Sequence, residues 1–295
     1  MTLKHLRVFV AVCEQGGITR AAEALHMVQP AVSTTISELE KYYQAALFDR
    51  IHQRLVLTEL GRELLVKAKN ILSEFENFEE TATLGGRTPR LRIGSSLTLG
   101  KTVLPRFLEL VRDRFPQLEL TLIVERTAVI EEKLECGELD LAMIEGELRS
   151  AHLKKVPFGE DRLLAVCSPE YPVSAEMMPT ELIRHPLLLR EKGSASRALL
   201  DKALLEARLS VTPYAESISN EALVALAKGG HGIAVLPEGI VNEALLRQEL
   251  RSLTVVGWSL SRTHYIVMRN NKRLNAQCQQ AIDLLKQEAV FENSY

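Results

Sequence analysis

No apolar run in this 295-residue chain approaches the ~18 residues that a membrane-crossing helix needs. The apolar stretch Val8–Val12, behind Lys4 and Arg7, also falls short of the roughly 7–15 residues of a secretory signal. A mature cytoplasmic chain with no membrane partner is expected. Cysteine is sparse: Cys13, Cys136, Cys167 and Cys278 lie far apart, with no C-x-x-C. That pattern reads as buried reduced thiols rather than a disulfide framework or a metal site. The seven histidines are scattered as well, so no metal and no other cofactor is expected. Excess charge of one sign is missing too. Lys and Arg number 36 against 38 Asp and Glu, and residues 1–90 hold 11 of each kind. A bulk basic domain is excluded, and any nucleic-acid contact must come from a local pattern. Nor is there a G-x-S-x-G elbow, a P-loop, a G-x-G-x-x-G or a marked His–carboxylate pair, so no catalytic residue is expected.

What is present is an ordinary globular balance, 46% apolar and 25% charged, on a chain too long for one core. Leu3, Leu6, Phe9, Val10 and Cys13 recur at helical spacing and stop at Gly16-Gly17. A short helix from Ile18 to Leu25 follows, with Ala21 and Ala22 at its centre. Pro30 then opens a third, with Ala31, Val32, Ile36 and Leu39 as its apolar stripe. Residues 47–57 alternate and read as a β-hairpin, a wing carrying Arg50, His52 and Arg54. Thr58 suits an N-cap, and the helix behind it runs to about Leu84. On that helix Leu64, Ala68, Ile71, Phe75, Phe78 and Ala82 repeat at heptad spacing. This is a dimer seam or one face of an intramolecular bundle. The seam is the preferred reading, because a Gly85-Gly86 linker follows and the helix has no evident domain of its own. From Leu91 onward short apolar runs alternate with amphipathic helices, the pattern of a doubly wound α/β domain.

Two short helices with a tight break, the second opened by Pro, describe a helix-turn-helix. Gln29, Ser33, Thr34, Thr35 and Ser37 are hydrogen-bonding side chains suited to base edges, with Arg50, His52 and Arg54 suited to phosphates or a minor groove. The words Leu6-Arg-Val-Phe-Val-Ala-Val, Thr19-Arg-Ala-Ala-Glu-Ala-Leu-His, Gln29-Pro-Ala-Val-Ser, Leu39-Glu, Leu47-Phe-Asp-Arg and Leu57-Thr-Glu-Leu-Gly61 fall in fixed order over some sixty positions. In this, residues 3–65 resemble the N-terminal domain of LysR-type transcriptional regulators. The resemblance adds Thr19, Arg20 and Pro30 to the DNA contacts. It also implies the fold of the whole chain: α/β overall, with a winged helix-turn-helix at 1–58, a linker helix at 59–86, and a two-lobed effector domain at 91–295 similar to type 2 periplasmic binding proteins. Lobe 1 would take about 91–161 plus 268–295, and lobe 2 about 162–267. Expected partners are double-stranded promoter DNA, a small-molecule effector, further copies of the chain as a dimer or tetramer, and RNA polymerase.

The chain departs from the family pattern at several positions. Val28 stands where the family usually has Ser, removing a capping hydroxyl worth about 1 kcal/mol. Tyr43-Gln44 replaces a Leu-Gly pair, which puts the following turn in question, and Thr34 replaces a common Arg. Lys41 is the one cation between Pro30 and Tyr42.

In the α/β part, Ser95, Ser96 and Thr98 sit where the first strand hands over to a helix, and Ser194, Ser196 and Arg197 stand at another helix start. Hydroxyls at helix starts suit an anion, an oxyanion or small organic acid, and suit plain N-capping equally. The resemblance places both segments on the walls of the effector cleft. Glu145 and Asn220 are lesser candidates, with Glu145 either holding Arg197, meeting a ligand donor or lying solvated; His231 between glycines reads as a helix-end residue.

Overall fold

A computed structural model describes residues 1–51, 54–83, 90–270, 272, 274 and 276–292. The chain divides into two compact units, 1–88 with 132–139, and 89–131 with 140–295.

In the first unit, helix α1 (Leu3–Gln15) buries Leu6, Val8, Phe9 and Val12 and ends at Gly16, whose φ of 65° closes the helix. Helix α2 (Ile18–Ala24) buries Ala21 and Ala22, whose small side chains let it cross α1 closely. Helix α3 (Gln29–Tyr43) buries Val32, Ile36 and Leu39. The hydroxyl missing at Val28 would have had little to cap. The second helical residue, Pro30, has no N–H, and the third, Ala31, already donates to the Val28 carbonyl at 3.0 Å. The turn after α3 keeps its left-handed form without glycine, since Gln44 adopts φ 51° and Ala45 donates back to Glu40 O at 3.1 Å. A residue with a Cβ is strained there, so Gln44→Gly is expected to raise stability by about 1 kcal/mol, read as an upward shift of the urea midpoint. Strands β1 (Phe48–Ile51) and β2 (Arg54–Leu57) form the antiparallel hairpin. Thr58 caps helix α4 (Glu59–Thr83), accepting from Gly61 N–H at 2.9 Å.

The linker-helix reading needs correction. Ala68 and Leu72 are buried in the same core as Leu6, Val8 and Phe9, with Leu64 and Leu65 partly buried beside them. The helix therefore does pack on its own domain, and the Leu64 and Ala68 part of the proposed seam is occupied internally. Further along, Ile71 (47% exposed) and Phe78 (67%) remain on the surface, with Phe75 half-buried.

The second unit is built on strands β3 (Arg90–Ser95), β4 (Glu119–Val124), β5 (Leu141–Glu145), β6 (Leu153–Cys167), β7 (Glu176–Met177), β8 (Leu187–Arg190), β9 (Ala215–Ser217), β10 (Ile233–Pro237), β11 (Arg251–Val255) and β12 (Ser261–Arg269). Their order is β4-β3-β5-β12-β6-β10-β8-β9, with β11 and β7 off that path. Two cores result. One holds Leu91, Ile93, Phe107, Met143, Ile266 and Ile282, and the other holds Leu163, Cys167, Leu187, Leu200 and Leu253. β6 runs through both lobes: Leu153–Arg162 pairs with β12, and Leu163–Val166 pairs with β10. The second crossing lies near residue 260 rather than at 267, because β12 already pairs with β6 from Ser261 and with β5 from His264. Between β3 and β4 lie two helices, Leu97–Thr102 and Leu104–Arg114, divided where Pro105 enters the first turn of the second.

Candidate functional site

The DNA-facing candidates divide by exposure. Thr19, Arg20, Gln29, Pro30, Thr34 and Ser37 are exposed, and Ser33 is half-buried. Thr35 is half-buried too, and its hydroxyl proton is given to Ala31 O at 2.9 Å within the helix, which leaves its oxygen only as an acceptor. His52 lies outside the described residues. For Arg50 and Arg54 only the backbone is described, on the two wing strands.

In the second unit one cavity of ≈ 180 Å³ opens between the lobes. Its walls are built at the carboxyl ends of strands, where open α/β sheets leave a crevice. β3 delivers Ser96, whose N–H donates to Met143 O at 2.9 Å and whose Oγ accepts from Leu99 N–H at 3.3 Å. Thr98 lines the same wall. β5 ends on Glu145, and β8 ends on Arg190. On the opposite wall Ser194 caps the helix Ala195–Glu206, accepting from Arg197 N–H at 3.2 Å. Ser196 is buried and accepts from Arg262 Nη1 at 2.9 Å.

Of the eight effector candidates, Ser96, Thr98, Glu145, Ser194 and Ser196 line the cavity, and Ser95, Arg197 and Asn220 do not. Ser95 is buried with its hydroxyl donated to Ser96 O at 3.1 Å. Arg197 is a staple of the second lobe rather than a ligand clamp. Its buried guanidinium donates to Asp201 Oδ1 (2.8 Å), Arg190 O (3.1 Å) and Glu216 Oε2 (3.0 Å). Asn220 acts one step back, accepting from Arg190 Nη1 at 2.8 Å. Glu145 holds Arg262, at 3.2 Å, and not Arg197.

The cations on the wall are those that sequence reasoning passed over: Arg126, Arg149, Arg190, Lys192 and Arg262. Arg262 is the floor. It forks onto Asp161, with Nε to Oδ1 at 2.6 Å and Nη2 to Oδ2 at 2.7 Å, while His264 Nε2 lies 3.4 Å from the same carboxylate. Burial alone would raise the Asp161 carboxyl, but the Arg262 hydrogen bonds and His264 hold it below the ordinary carboxylate range. Arg190 pairs with Glu191 at 2.9 Å. The charged ends of Arg126, Arg149 and Lys192, by contrast, form no ion pair among the described residues, and Arg149 Nη2, from the first lobe, would lie 3.7 Å from a Cβ added at Gly193 in the second.

The thiols stand outside this site. Cys136, Cys167 and Cys278 are buried and Cys13 is half-buried, and none of the four is in a disulfide. Burial is the main cause that pushes Cys13 up to about 12 and Cys136 to about 11. Among the described residues no cluster able to hold a metal ion occurs, and no helix is long and apolar enough to cross a membrane.

Comparison with known proteins bears on both halves. Residues 3–62 match the model of the bacterial regulatory helix-turn-helix protein, lysR family, and residues 84–290 match that of the LysR substrate binding domain. The chain is similar to the HTH-type transcriptional activator CmpR of Synechocystis, 30% identical over 288 residues, covering 96% of this chain and 94% of the relative. Among solved structures it is similar to a full-length OxyR variant of Pseudomonas aeruginosa, with a TM-score of 0.71, 24% identity, and 98% and 94% of the two chains covered. It is also similar to the CcmR regulatory domain of Synechocystis in complex with 2-PG, with a TM-score of 0.63, 26% identity, and 68% and 97% covered.

Proposed function

The chain belongs to the LysR family of transcriptional regulators, a DNA-binding regulator with an effector-binding domain and not an enzyme, and from that premise we propose that its effector is a small anion held between the two lobes. An oxyanion or a short organic acid fits the chemistry. Its binding would change how the winged helices hold or bend promoter DNA in the cytoplasm, by favouring one arrangement of the assembly over another. In this reading the chain works as a homodimer paired along α4, or as a tetramer made of two such dimers, with RNA polymerase as the downstream partner. Exposed Ile71 and Phe78 support the pairing.

One observation carries the anion. Both carboxylates on the cavity wall are already paired within the protein, Glu145 with Arg262 and Glu191 with Arg190. Arg126, Arg149 and Lys192 are left facing the cavity without such partners. Ser96, Thr98 and Thr127 add hydroxyls on the first-lobe wall. The volume of ≈ 180 Å³ lies below the roughly 300–1,000 Å³ of drug-sized sites, so the ligand is small. That the similar CcmR domain was solved with 2-PG supports a small ligand in this fold.

The test is thermal unfolding of the full chain at constant ionic strength against sulfate, sulfite, phosphate, sugar phosphates and short organic acids. A ligand at about 100 times its Kd should add about 2.7 kcal/mol, and Arg149→Ala should remove most of that gain. If all of these anions leave the unfolding temperature unchanged while an uncharged metabolite raises it, the anion reading is wrong.

A further inference from the structure

We propose that Val28 reads a base: its isopropyl group sits on the 5-methyl of a thymine when α3 enters the major groove. The inference rests on α3 being the reading helix. Val28 is the N-cap of that helix and is 70% exposed. Its backbone is extended, with φ −79° and ψ 140°, so successive side chains point opposite ways. Met27 accordingly packs toward the core with Leu25 and Ile18, and Val28 points out.

Folding gives no reason for a valine here. The side chain is mostly exposed, and a hydroxyl in its place would gain little as a cap, since Pro30 has no N–H and the Ala31 N–H already donates to the Val28 carbonyl. What the isopropyl group offers is an apolar surface beside exposed Gln29 and Pro30, at the end of the helix that meets base edges. The major-groove edge of DNA has one apolar group, the thymine methyl. Within α3 the one cation is Lys41, at the far end, so α3 itself brings no guanidinium to a guanine at this end. What Val28 itself offers a base edge is apolar contact.

The experiment begins with selection of binding sites from random duplexes by the full chain. Each thymine of the selected site is then replaced by deoxyuridine, which removes only the methyl. One thymine per half-site is expected to show about a fourfold loss of affinity on replacement, the value of one buried methyl. Val28→Ser should be indifferent to that replacement and should select a site with no thymine preference at that position, with its unfolding midpoint unchanged. A wild-type protein insensitive to every replacement, or a Val28→Ser protein that keeps the same sensitivity, overturns the proposal. A Gln29→Ala arm separates the two layers. If it alters the selected site while Val28→Ser does not, α3 remains the reading helix and Val28 is not a reader. If neither alters it, the reading helix itself is misplaced and the proposal falls with it.

Discussion

Arg262→Met is expected to destabilise the effector unit by about 3–5 kcal/mol and to abolish its response to any stabilising anion. The guanidinium is buried and serves three groups at once, Asp161, Glu145 and Ser196. Removing it leaves two carboxylates under the cavity floor with no cation between them, which costs far more than the net worth of the original pairs. The sign of the pH dependence also reverses. In the wild type Asp161 sits below its ordinary 3.8, so the stability it contributes is present above that value and is lost as the pH falls through the folded-state value. Without Arg262, burial dominates and raises the Asp161 carboxyl. The native state then binds a proton that the unfolded chain has released, and stability is lost as the pH rises. Relative to wild type, the variant should therefore be less destabilised at about pH 5 than at about pH 7. Trp258, the chain's one tryptophan, packs in the second-lobe core, so its fluorescence during urea unfolding reports the transition. Adding Asp161→Asn should recover part of the loss, because it removes one of the stranded charges. A single variant within 1 kcal/mol of wild type at neutral pH would show that the floor is not held by this ion cluster.

That arginine also marks the limit of what could be read from the chain. Ser96, Thr98, Glu145, Ser194 and Ser196 were legible because each stands where an apolar run gives way to a loop or helix, and sheets of this class place ligands at such ends. Arg190 carried the same signal, a charged residue closing the run Leu187–Leu189, and was overlooked beside its serines. Arg262 carried none: its partner Asp161 is 101 residues away, and the two meet only because β12 pairs with β6 in a register that sets Arg262 opposite Asp161. Arg197 misled for a local reason. A guanidinium at a helix start resembles a clamp, yet Asp201 one turn later was the partner that i,i+4 spacing favours.

The α/β texture and the helix-turn-helix were legible from periodicity, since each element's apolar face repeats within itself. The linker helix was legible as a helix but not in its partners. A heptad repeat states which side is apolar, and the buried positions Ala68 and Leu72 show that this helix divides its apolar surface between its own domain and the outside. Short strands such as Glu176–Met177 and Ala215–Ser217 leave no period to find, because two or three residues cannot show alternation.

Gly61 shows that a single residue of the sequence motif can decide how the reading head is assembled. A Cβ added there would lie 2.2 Å from the carbonyl oxygen of Leu47 and 2.9 Å from Leu57 Cδ2. Neither neighbour can yield easily. The Leu47 carbonyl accepts from Thr58 N–H at 3.1 Å, and the Leu47 and Phe48 N–H groups donate to Glu40 Oε1 at 2.8 and 3.2 Å. The start of α4 is thus pressed against the root of the wing, and α3 anchors that root from the other side. In Gly61→Ala the methyl must push α4 away from the wing, straining the Thr58 cap. Overpacking of this kind costs about 1–3 kcal/mol, against roughly 1 kcal/mol that alanine returns as the better helix former. The larger effect is expected on DNA: a displaced wing withdraws its arginines, so affinity for a selected duplex should fall by more than about tenfold and its salt dependence should flatten. Gly17 supplies the control. It also lies at a helix start in the same unit, but nothing stands within 4 Å of an added Cβ, so Gly17→Ala should bind as wild type. A Gly61→Ala protein that keeps both affinity and salt slope would mean that the wing is positioned by something other than this contact.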